Sequence, residues 1–515
     1  MFKNQKSLIL FALIEGISIS AYELTFGKLI SEFYGSTSEI WAVILGVTML
    51  FLALGYYFGA RLSAKEGSKF RLKTLATIGV LFFLIAVWVS EPLMQKVFAA
   101  GFIPGAVIST ILLIGPGMLL FSMINPIIIE EASENERSTG RLTGIVFAIS
   151  SVSGVLIALF TGLYLLPSFG KTNSILIISS MLLVLVFFSG AFKETKINAF
   201  LISLGLTVVV GLMCVINFNA KPVYINHDVV YQNEGMLGEI MVLDHYHGSP
   251  YRELVVNNIP QSAVFLDSFT SLGIYVHRIS MTASMKPPGS NALIVGMGGG
   301  SLVEEFTRLG HNIDVVDIDS RMFDVAKNHF KAPVEGVNCI QDDVRHYLRT
   351  AKKKYDIVVF DLSLAETQPS HVYTKEGFKD LEKLLKDEQS FVMIHYIDRS
   401  KNKIASRSIA ATLDASDYKV RGLSFHPEYP EVAILMALKA DPDPTKFTYG
   451  RHNACCTKFG PPERMLQTEE ISFKGALVLT DDKPLLDVLN REMVKESRTT
   501  MMNIFIKHLE EDETD

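Results

Sequence analysis

Cysteine is scarce in this sequence, with four residues among 515, and this scarcity argues against two classes of protein. Four cysteines in a chain of this length are too few for a disulfide framework. Cys455 and Cys456 are adjacent, so they lack the CxxC spacing of a zinc or redox site. We therefore interpret the cysteines as ordinary thiols and expect no metal site.

A basic surface and a cleavable leader are also missing. The formal net charge is −6, and no cluster of basic and aromatic residues offsets it, so we expect no nucleic-acid partner. The first apolar run is too long for a secretory signal peptide, and no small-residue cleavage site follows it. We therefore expect the N-terminal segment to be retained.

Charged residues are few in the first part of the chain. The sequence is 49% hydrophobic, with a mean hydropathy of +0.29, and its long apolar runs lie in residues 1–220. Residues 221–515 have an ordinary soluble composition. We predict a multi-pass α-helical membrane domain over 1–220, a small β-rich subdomain over 221–285, and an α/β domain with an acidic tail over 286–515.

Seven segments of the first part are long enough to cross a bilayer core of about 30 Å, which needs roughly 20 apolar residues. These segments are 7–30, 39–63, 74–98, 104–130, 141–165, 172–192 and 197–216. Pro116 and Pro126 could break the fourth segment into a re-entrant pair. The sequence thus predicts about seven helices, with this segment as the uncertain one.

Glu15 and Glu23 lie within the first apolar segment, beside Tyr22. An unpaired ionisable residue inside a membrane helix costs about 3 kcal/mol or more. One interpretation is that both carboxyl groups pair with polar groups of neighbouring helices and hold the bundle together. A role in transport or in binding a lipid substrate stays open.

The pattern changes after residue 220. GEIMVLD and RELVVNN have the composition of short strands joined by a turn at HYHGSP. Strands and helices then alternate from NALIVGMGGG to YDIVVFDLS. This alternation predicts a doubly wound parallel sheet with a small β-rich piece in front of it.

A glycine-rich turn, Gly296-Met297-Gly298-Gly299-Gly300, follows the first strand of this alternation and opens a helix. Glycines there let the backbone approach a ligand and point amides at it. Asp317 ends the next strand about 20 residues later, where a carboxylate accepts hydrogen bonds from ribose hydroxyls. Asp343 and Asp361 follow the third and fourth strands. This pattern predicts a nucleoside site, and turns and helix caps without a ligand are the alternative.

Residues 225–440 resemble the spermidine synthase (aminopropyltransferase) family, and the whole layout is similar to its membrane-fused branch. The matching stretches are LVVNNIPQS, LIVGMGGGSLVEEF, VVDID, QDDVRHYL, YDIVVFDLS and HVYTKEGF. The resemblance implies a cosubstrate that is S-adenosylmethionine or its decarboxylated form. It implies that Gln261 and Asp317 hold the ribose side and that Asp343 reads the adenine amine. Asp361 would be the acid-base residue that takes a proton from an attacking amine.

The sequence departs from the family on the acceptor side. The family motif GGGDGG has an aspartate where this chain has Gly299. The family motif D-S-S-D is replaced by Asp361-Leu362-Ser363-Leu364. Where the family has a tyrosine-glutamine pair, this chain has Leu237-Gly238. Where the family has a Tyr-His-Glu cluster, this chain has approximately Ser271-Leu272-Gly273. A dication such as putrescine would therefore lose charge partners worth roughly 1–3 kcal/mol each.

Two explanations follow from this loss. Either the second substrate is less charged or more apolar and is delivered from the membrane part, or the donor is intact S-adenosylmethionine, whose carboxylate Gly299 would leave room for. Without an acceptor, such a site would cleave the sulfonium and release methylthioadenosine.

Two weaker features lie in the tail. His426, Glu428, Tyr429 and Pro430 form a loop where family members often contact the acceptor. Residues 480–484 resemble a TDD-x-P stretch of related chains. Either stretch is interpreted more simply as a turn with solvated charges.

Four functions are compatible with these residues: an aminopropyltransferase, a methyltransferase, a lyase releasing methylthioadenosine, and a nucleoside-sensing transporter. The Asp361 motif with VYTKEGF favours the first. Basic residues in the loop 61–73, with Lys3 and Lys6, indicate a cytoplasmic N-terminus. We predict a cell-membrane protein with a cytoplasmic catalytic domain, which requires that segment 104–130 does not cross. Expected partners are an amine and the lipid bilayer, and a homodimer is left open.

Overall fold

The computed structural model describes residues 5–35, 37–63, 68–132, 136–189, 227–235, 237–246, 248–362, 368–398, 403–423, 432–439, 468–491, 494–496 and 498–499. The predicted segment 197–216, the loop 424–430 and the acidic tail lie outside these residues, as do Ser363 and Leu364. The chain divides into a helical unit, which includes residues 1–222 and 233–239, and a catalytic unit, which includes residues 223–232 and 240–501.

Eight α-helices are described in the helical unit, most of them apolar. They are α1 (Gln5–Tyr34), α2 (Ser38–Ser63), α3 (Ser68–Phe98), α4 (Phe102–Leu113), α5 (Gly115–Ser122), α6 (Ile124–Ala132), α7 (Glu136–Phe160) and α8 (Leu166–Phe188). Four helical runs are long and apolar enough to cross a membrane, or five if one bent pair counts as a span. The described residues therefore support four or five spans, and the predicted segment 197–216 lies outside them, so the prediction of about seven is tested only in part.

One of the four helical runs is Thr139–Phe188. The sequence predicts two separate segments there, and a π-helical turn at Thr161–Leu165 lies at the end of the first. The run departs from helical geometry at Gly170, where φ is 73° and ψ is 178°. Gly170 therefore divides the run into two helices, and it lies between the predicted segments 141–165 and 172–192.

The predicted break in segment 104–130 is confirmed. Phe102–Leu113 and Gly115–Glu131 are bent by 42° relative to each other. Pro116 lies in the first turn of α5, where its missing N–H leaves no hydrogen bond unmade. A second, shorter break at Met123 separates α5 from α6, and Pro126 follows it.

Buried polar groups join helices within the helical unit. The fully buried Glu15 carboxylate accepts hydrogen bonds from the Ser150 hydroxyl of α7 and, at 3.4 Å, from the Tyr56 hydroxyl of α2. The hydroxyls of Tyr22 and Ser179 lie 2.7 Å apart. These contacts favour the interpretation in which the polar residues of α1 hold the bundle together.

The catalytic unit begins with a four-stranded sheet. Its strands are β1 (His227–Gly235), β2 (Gly238–His245), β3 (Tyr251–Val256) and β4 (Ile259–Phe265), in spatial order β1-β2-β3-β4. The predicted turn at HYHGSP joins the antiparallel strands β2 and β3. Asn257 and Asn258 both have positive φ and form the two-residue turn between β3 and β4, as asparagine tolerates this conformation.

The second sheet has eight strands. They are β5 (Asn291–Val295), β6 (Asn312–Asp317), β7 (Asn338–Gln341), β8 (Ile357–Phe360), β9 (Phe391–Ile397), β10 (Lys419–Leu423), β11 (Val432–Leu438) and β12 (Thr468–Glu469). Their spatial order is β12-β10-β11-β9-β8-β5-β6-β7. Strands β5 to β9 are parallel, whereas β10, β11 and β12 pair antiparallel. The sheet is therefore mixed, which corrects the prediction of a purely parallel sheet.

Helices cover this sheet on both faces. They are α9 (Ile274–Ala283), α10 (Ser301–Arg308), α11 (Arg321–Phe330), α12 (Val344–Thr350), α13 (Lys375–Glu382), α14 (Ile404–Asp414) and α15 (Leu486–Leu489). Along β5, Leu293 and Val295 pack into one core, whereas Ala292 and Ile294 pack into the other. This alternation is the side-chain period of a strand buried on both faces.

The strand order reverses beside β5. The chain runs outward from β5 through β6 to β7 and then returns to β8 on the other side of β5. Loops that follow β5 and β8 therefore leave the sheet in opposite directions, and a crevice opens at the carboxyl ends of these strands. The glycine-rich turn and Asp361 both lie at this position.

Candidate active site

The glycine-rich turn connects β5 to α10 through backbone that favours glycine. φ is +99° at Gly296, +49° at Gly298 and +77° at Gly300, a region that other residues rarely adopt. A Cβ on Gly296 would lie 2.2 Å from the carbonyl oxygen of Asp361, so space is limiting there as well. The turn after β5 is therefore in direct contact with the end of β8.

Gly299 is closely packed. A Cβ at this position would lie 3.1 Å from both the Phe330 ring and Ser262 Cβ. Its amide donates a hydrogen bond to the Ser262 hydroxyl, at 3.2 Å. The expectation that Gly299 leaves open space for a donor carboxylate is therefore not met at its Cβ position.

Asp317 holds the glycine-rich turn against the end of β6. Its two carboxylate oxygens accept hydrogen bonds from the backbone amides of Met297 and Asp319, both at 2.8 Å. Burial raises the pKa of Asp317 to about 6, although these hydrogen bonds act in the opposite direction. Ile318 follows it with 48% of its surface exposed, so an apolar surface adjoins the carboxylate. A carboxylate beside an apolar surface suits a ribose joined to a flat base.

Asp343 is the N-cap of α12. One carboxylate oxygen accepts hydrogen bonds from the amides of Arg345 and His346, and the other lies 3.2 Å from His371 Nε2. Burial alone would raise the pKa of Asp343, but the hydrogen bonds from His346 and His371 lower it. Asp343 therefore caps a helix, and this role is compatible with the predicted contact to the base of the nucleoside.

Asp342 is a carboxylate that the sequence reasoning passed over. It follows β7 directly, and its side chain lies 2.7 Å from His346 Nδ1. The signal that would have found it is its position, one residue nearer to the strand end than Asp343. It joins Asp343 as a candidate for the base of the nucleoside.

Gln261 lies on β4, and its side-chain amide donates to the carbonyls of Ile259 and Pro260, both at 3.2 Å. The next residue, Ser262, provides the contact between β4 and the glycine-rich turn through Gly299. The structure thus brings this stretch of β4 to the turn through Ser262, which the sequence reasoning did not single out.

Asp361 lies at the centre of a three-residue cluster. Its carboxylate accepts a hydrogen bond from the Tyr275 hydroxyl at 3.2 Å and from His395 Nδ1 at 2.7 Å. The rings of Tyr275 and His395 are stacked, with centroids 3.6 Å apart and planes at 3°. Burial and the Asp361 charge raise the pKa of Tyr275 well above its ordinary value, so this phenol remains a donor.

Tyr275 corrects the interpretation that the acceptor side has lost its tyrosine. The residues assigned to the family cluster, 271–273, lead into α9, and the tyrosine follows in the first turn of that helix. This tyrosine reaches Asp361 from a position outside the stretch 271–273.

His395 was not predicted either. It lies near the end of β9, the parallel neighbour of β8, and only 7% of its surface is exposed. A histidine within FVMIHYI at the carboxyl end of a central strand was the available signal. Only the pairing of β8 with β9 brings it to Asp361.

The TDD-x-P stretch forms a structural contact. The Asp481 carboxylate accepts hydrogen bonds from the Thr374 hydroxyl at 2.6 Å and from the buried Arg345 at 3.0 Å. Thr374 also caps α13 by accepting from the Gly377 amide. This stretch fastens the tail to α12 and α13 and is not a plain solvated turn.

Comparison with known proteins relates the catalytic unit to one family. Residues 274–439 match the family described as the spermine/spermidine synthase domain. The polyamine aminopropyltransferase of Clostridium beijerinckii is 26% identical over 136 residues, covering 25% of this chain and 47% of that protein. The N-terminal histidine N-methyltransferase of Emericella nidulans is 30% identical over 113 residues, covering 21% of this chain and 20% of that protein.

A solved structure shows a weaker likeness. The crystal structure of a probable spermidine synthase from Corynebacterium glutamicum is 15% identical, with 51% of this chain and 97% of that chain covered. Its TM-score of 0.39 is too low to carry an argument. The chain spans about half the length of the aminopropyltransferase it matches, and the family match includes the glycine-rich turn, Asp361 and His395.

Proposed function

We propose that this chain, whose residues 274–439 form a spermine/spermidine synthase domain, transfers an aminopropyl or related three-carbon group from an adenosyl sulfonium to an amine. Methylthioadenosine is the second product. The observation that carries the proposal is the Asp361 cluster, which lies where the strand order reverses and beside the glycine-rich turn.

The ends of β5 and β6 support a site for the nucleoside of the donor. Close backbone approach at Gly296, the Asp317 carboxylate and the exposed Ile318 side chain offer contacts for the sugar and the base. Either S-adenosylmethionine or its decarboxylated form presents this nucleoside. The packing around Gly299 gives no reason to prefer the larger donor.

The reaction requires only that the protein position the two substrates and deprotonate the amine. A sulfonium already carries a good leaving group, so orientation and removal of one proton from the amine provide most of the catalysis. The carboxylate of Asp361 attracts a cationic amine to the crevice, and the Asp361 cluster provides the base.

The acceptor is an amine with fewer charges than a diamine. The second carboxylate of the family motif is absent, because position 364 is leucine. Tyr275 does not replace this charge, because its neutral hydroxyl is already hydrogen-bonded to Asp361. We propose an amine with a single ammonium group, drawn from the cytosol or from the bilayer.

The helical unit anchors the enzyme in the cell membrane. It contains four helices long and apolar enough to span a bilayer, and the basic loop after α2 favours a cytoplasmic N-terminus. A cytoplasmic catalytic domain gives access to the donor, which is a cytosolic metabolite.

A methyltransferase is the second candidate, since one of the matching relatives is a histidine N-methyltransferase. The two functions differ in which carbon of the sulfonium the nucleophile attacks. They therefore release different nucleosides, methylthioadenosine or S-adenosylhomocysteine.

Product analysis tests the proposal. Purified full-length protein is incubated with each donor, alone and with putrescine or a monoamine of similar length. Methylthioadenosine that appears only with an amine supports the transferase. Methylthioadenosine without any amine indicates a lyase, and S-adenosylhomocysteine indicates a methyltransferase. Nucleoside binding without turnover would indicate a sensor or transporter.

A further inference from the structure

We infer that His395 Nε2 takes the proton from the attacking amine, and that Asp361 positions the imidazole for this step. The inference rests on the proposed transfer to an amine. It reassigns the base within the Asp361 cluster, since the resemblance to the family implies Asp361 itself.

The hydrogen bond between His395 and Asp361 sets which imidazole nitrogen is free. An ionised carboxylate only accepts hydrogen bonds, so Nδ1, at 2.7 Å from Asp361, carries the hydrogen. The neutral ring then has a lone pair on Nε2. This nitrogen is buried and has no hydrogen-bond partner in the described part of the chain.

A buried imidazole nitrogen without a hydrogen-bond partner would not by itself indicate a base. His311 is also buried and leaves Nδ1 without a partner among the described residues, but its Nε2 meets the carbonyl of Ala283. His395 differs because its partner is a carboxylate at the crevice. A carboxylate stabilises the imidazolium that forms when Nε2 accepts a proton.

Both oxygens of Asp361 already accept a hydrogen bond, whereas Nε2 has no partner among the described residues. One accepts from Tyr275 and the other from His395, so a proton arriving at either oxygen weakens one of these bonds. The Tyr275 ring covers one face of the imidazole at 3.6 Å and holds its orientation. The cluster therefore holds the imidazole in a fixed orientation, with Nε2 buried and without a hydrogen-bond partner among the described residues.

The amine arrives as an ammonium and gives one proton to Nε2, which forms an imidazolium paired with Asp361. The nitrogen lone pair then attacks the carbon beside the sulfonium, so an N–C bond forms and the C–S bond breaks. The bonding pair goes to sulfur and leaves the neutral thioether of methylthioadenosine. The imidazolium returns its proton to solvent.

A histidine base is also consistent with the absence of the second carboxylate of the family motif. The imidazole is neutral before it accepts the proton, so the site needs only the single negative charge of Asp361. Such a site still accepts one ammonium group, which agrees with the acceptor proposed above.

The test compares His395→Gln with the wild type and with His245→Gln as a control. His245 lies at the β2–β3 turn, where it pairs with Glu253. We measure kcat from pH 5 to 9 with amine and nucleoside saturating, so that titration of Asp317 does not enter the rate. A step that needs a general base gives a pH-dependent kcat, so the pH profile reports whether that base is present.

His395→Gln should lower kcat by about 10²- to 10⁴-fold and remove the pH dependence that the base confers. Methylthioadenosine affinity should stay within about twofold of wild type, and His245→Gln should match wild type in both respects. A His395→Gln enzyme that keeps its rate, or one whose kcat keeps the pH dependence of wild type, would overturn the inference.

A second measurement does not depend on turnover. Nitrogen-15 NMR of histidine-labelled full-length protein in bilayers, with His395→Gln used for assignment, reports which nitrogen carries hydrogen. We expect hydrogen on Nδ1 and a bare Nε2 at neutral pH, and the opposite tautomer would refute the role of His395. If wild type forms no methylthioadenosine with any amine, the proposed function fails, and the tautomer still decides the arrangement of His395.

Discussion

On the nucleoside side of the crevice, Asp317 is bound by main-chain amides, whereas on the acceptor side Asp361 is bound by side chains. Met297 and Asp319 supply the amides, and Tyr275 and His395 supply the side-chain donors. Main-chain partners are present whatever residue occupies their positions. Side-chain partners can be exchanged by single substitutions, so the acceptor side is where an enzyme of this fold can change its substrate.

The largest expected effect comes from removing the acceptor-side charge. Asp361→Asn should lower kcat by about 10³-fold or more, because it loses both the attraction for the amine and the partner of His395. The main-chain contacts of the nucleoside side are unchanged, so methylthioadenosine should still bind within about threefold of wild type. Calorimetry and product assays on the same preparation measure both values. A variant with full activity would contradict the comparison.

Gly296→Ala tests the contact between the two sides. The new Cβ would lie 2.2 Å from the Asp361 carbonyl oxygen on a backbone with φ of +99°, so we expect a loss of about 2–4 kcal/mol in unfolding free energy. Gly336→Ala is the matched control, since its φ is +86° and no atom lies within 4 Å of the added carbon. This control should lose only about 1 kcal/mol. Equal losses in denaturant unfolding would show that the contact is unimportant.

The nucleoside side should lose affinity in acid. An ionised Asp317 accepts hydrogen bonds from ribose hydroxyls, and its pKa is raised to about 6, so methylthioadenosine affinity should fall as the pH drops through that value. Asp317→Asn should weaken binding about 10- to 100-fold at pH 7.5 and flatten this dependence. Titration calorimetry at pH 7.5, 6 and 5 measures it. Wild-type affinity that is constant down to pH 5 would show that the carboxylate does not contact the ligand in its ionised form.

The smallest effect is expected from one side-chain donor. Tyr275→Phe keeps the ring stacked on His395 but removes the hydrogen bond to Asp361, worth about 1 kcal/mol, so kcat should fall roughly 3- to 10-fold. Tyr418→Phe is the control, because that hydroxyl donates to the Phe378 carbonyl elsewhere in the unit. Steady-state rates at saturating donor and amine compare them. A much larger loss in Tyr275→Phe would assign this phenol a part in proton transfer.

Much of the nucleoside side could be predicted from the sequence. The turn Gly296–Gly300 and the aspartate at the end of β6 lie where the strand-helix alternation puts them. Asp343 also lies at its predicted strand end, but capping of α12 was not separable from ligand binding by sequence alone. The described residues support four or five membrane spans, and the predicted segment 197–216 lies outside them.

The sequence by itself determined the elements of the doubly wound sheet and the strand ends at which Asp317 and Asp361 lie. These features follow from periodicity and glycine placement, which are local along the chain. Only the tertiary structure decided that Tyr275 and His395 meet Asp361, across 86 and 34 residues of sequence. It also decided that three strands join the sheet antiparallel. Such contacts depend on which strands become neighbours, and strand neighbours are chosen by packing over the whole sheet rather than by local sequence.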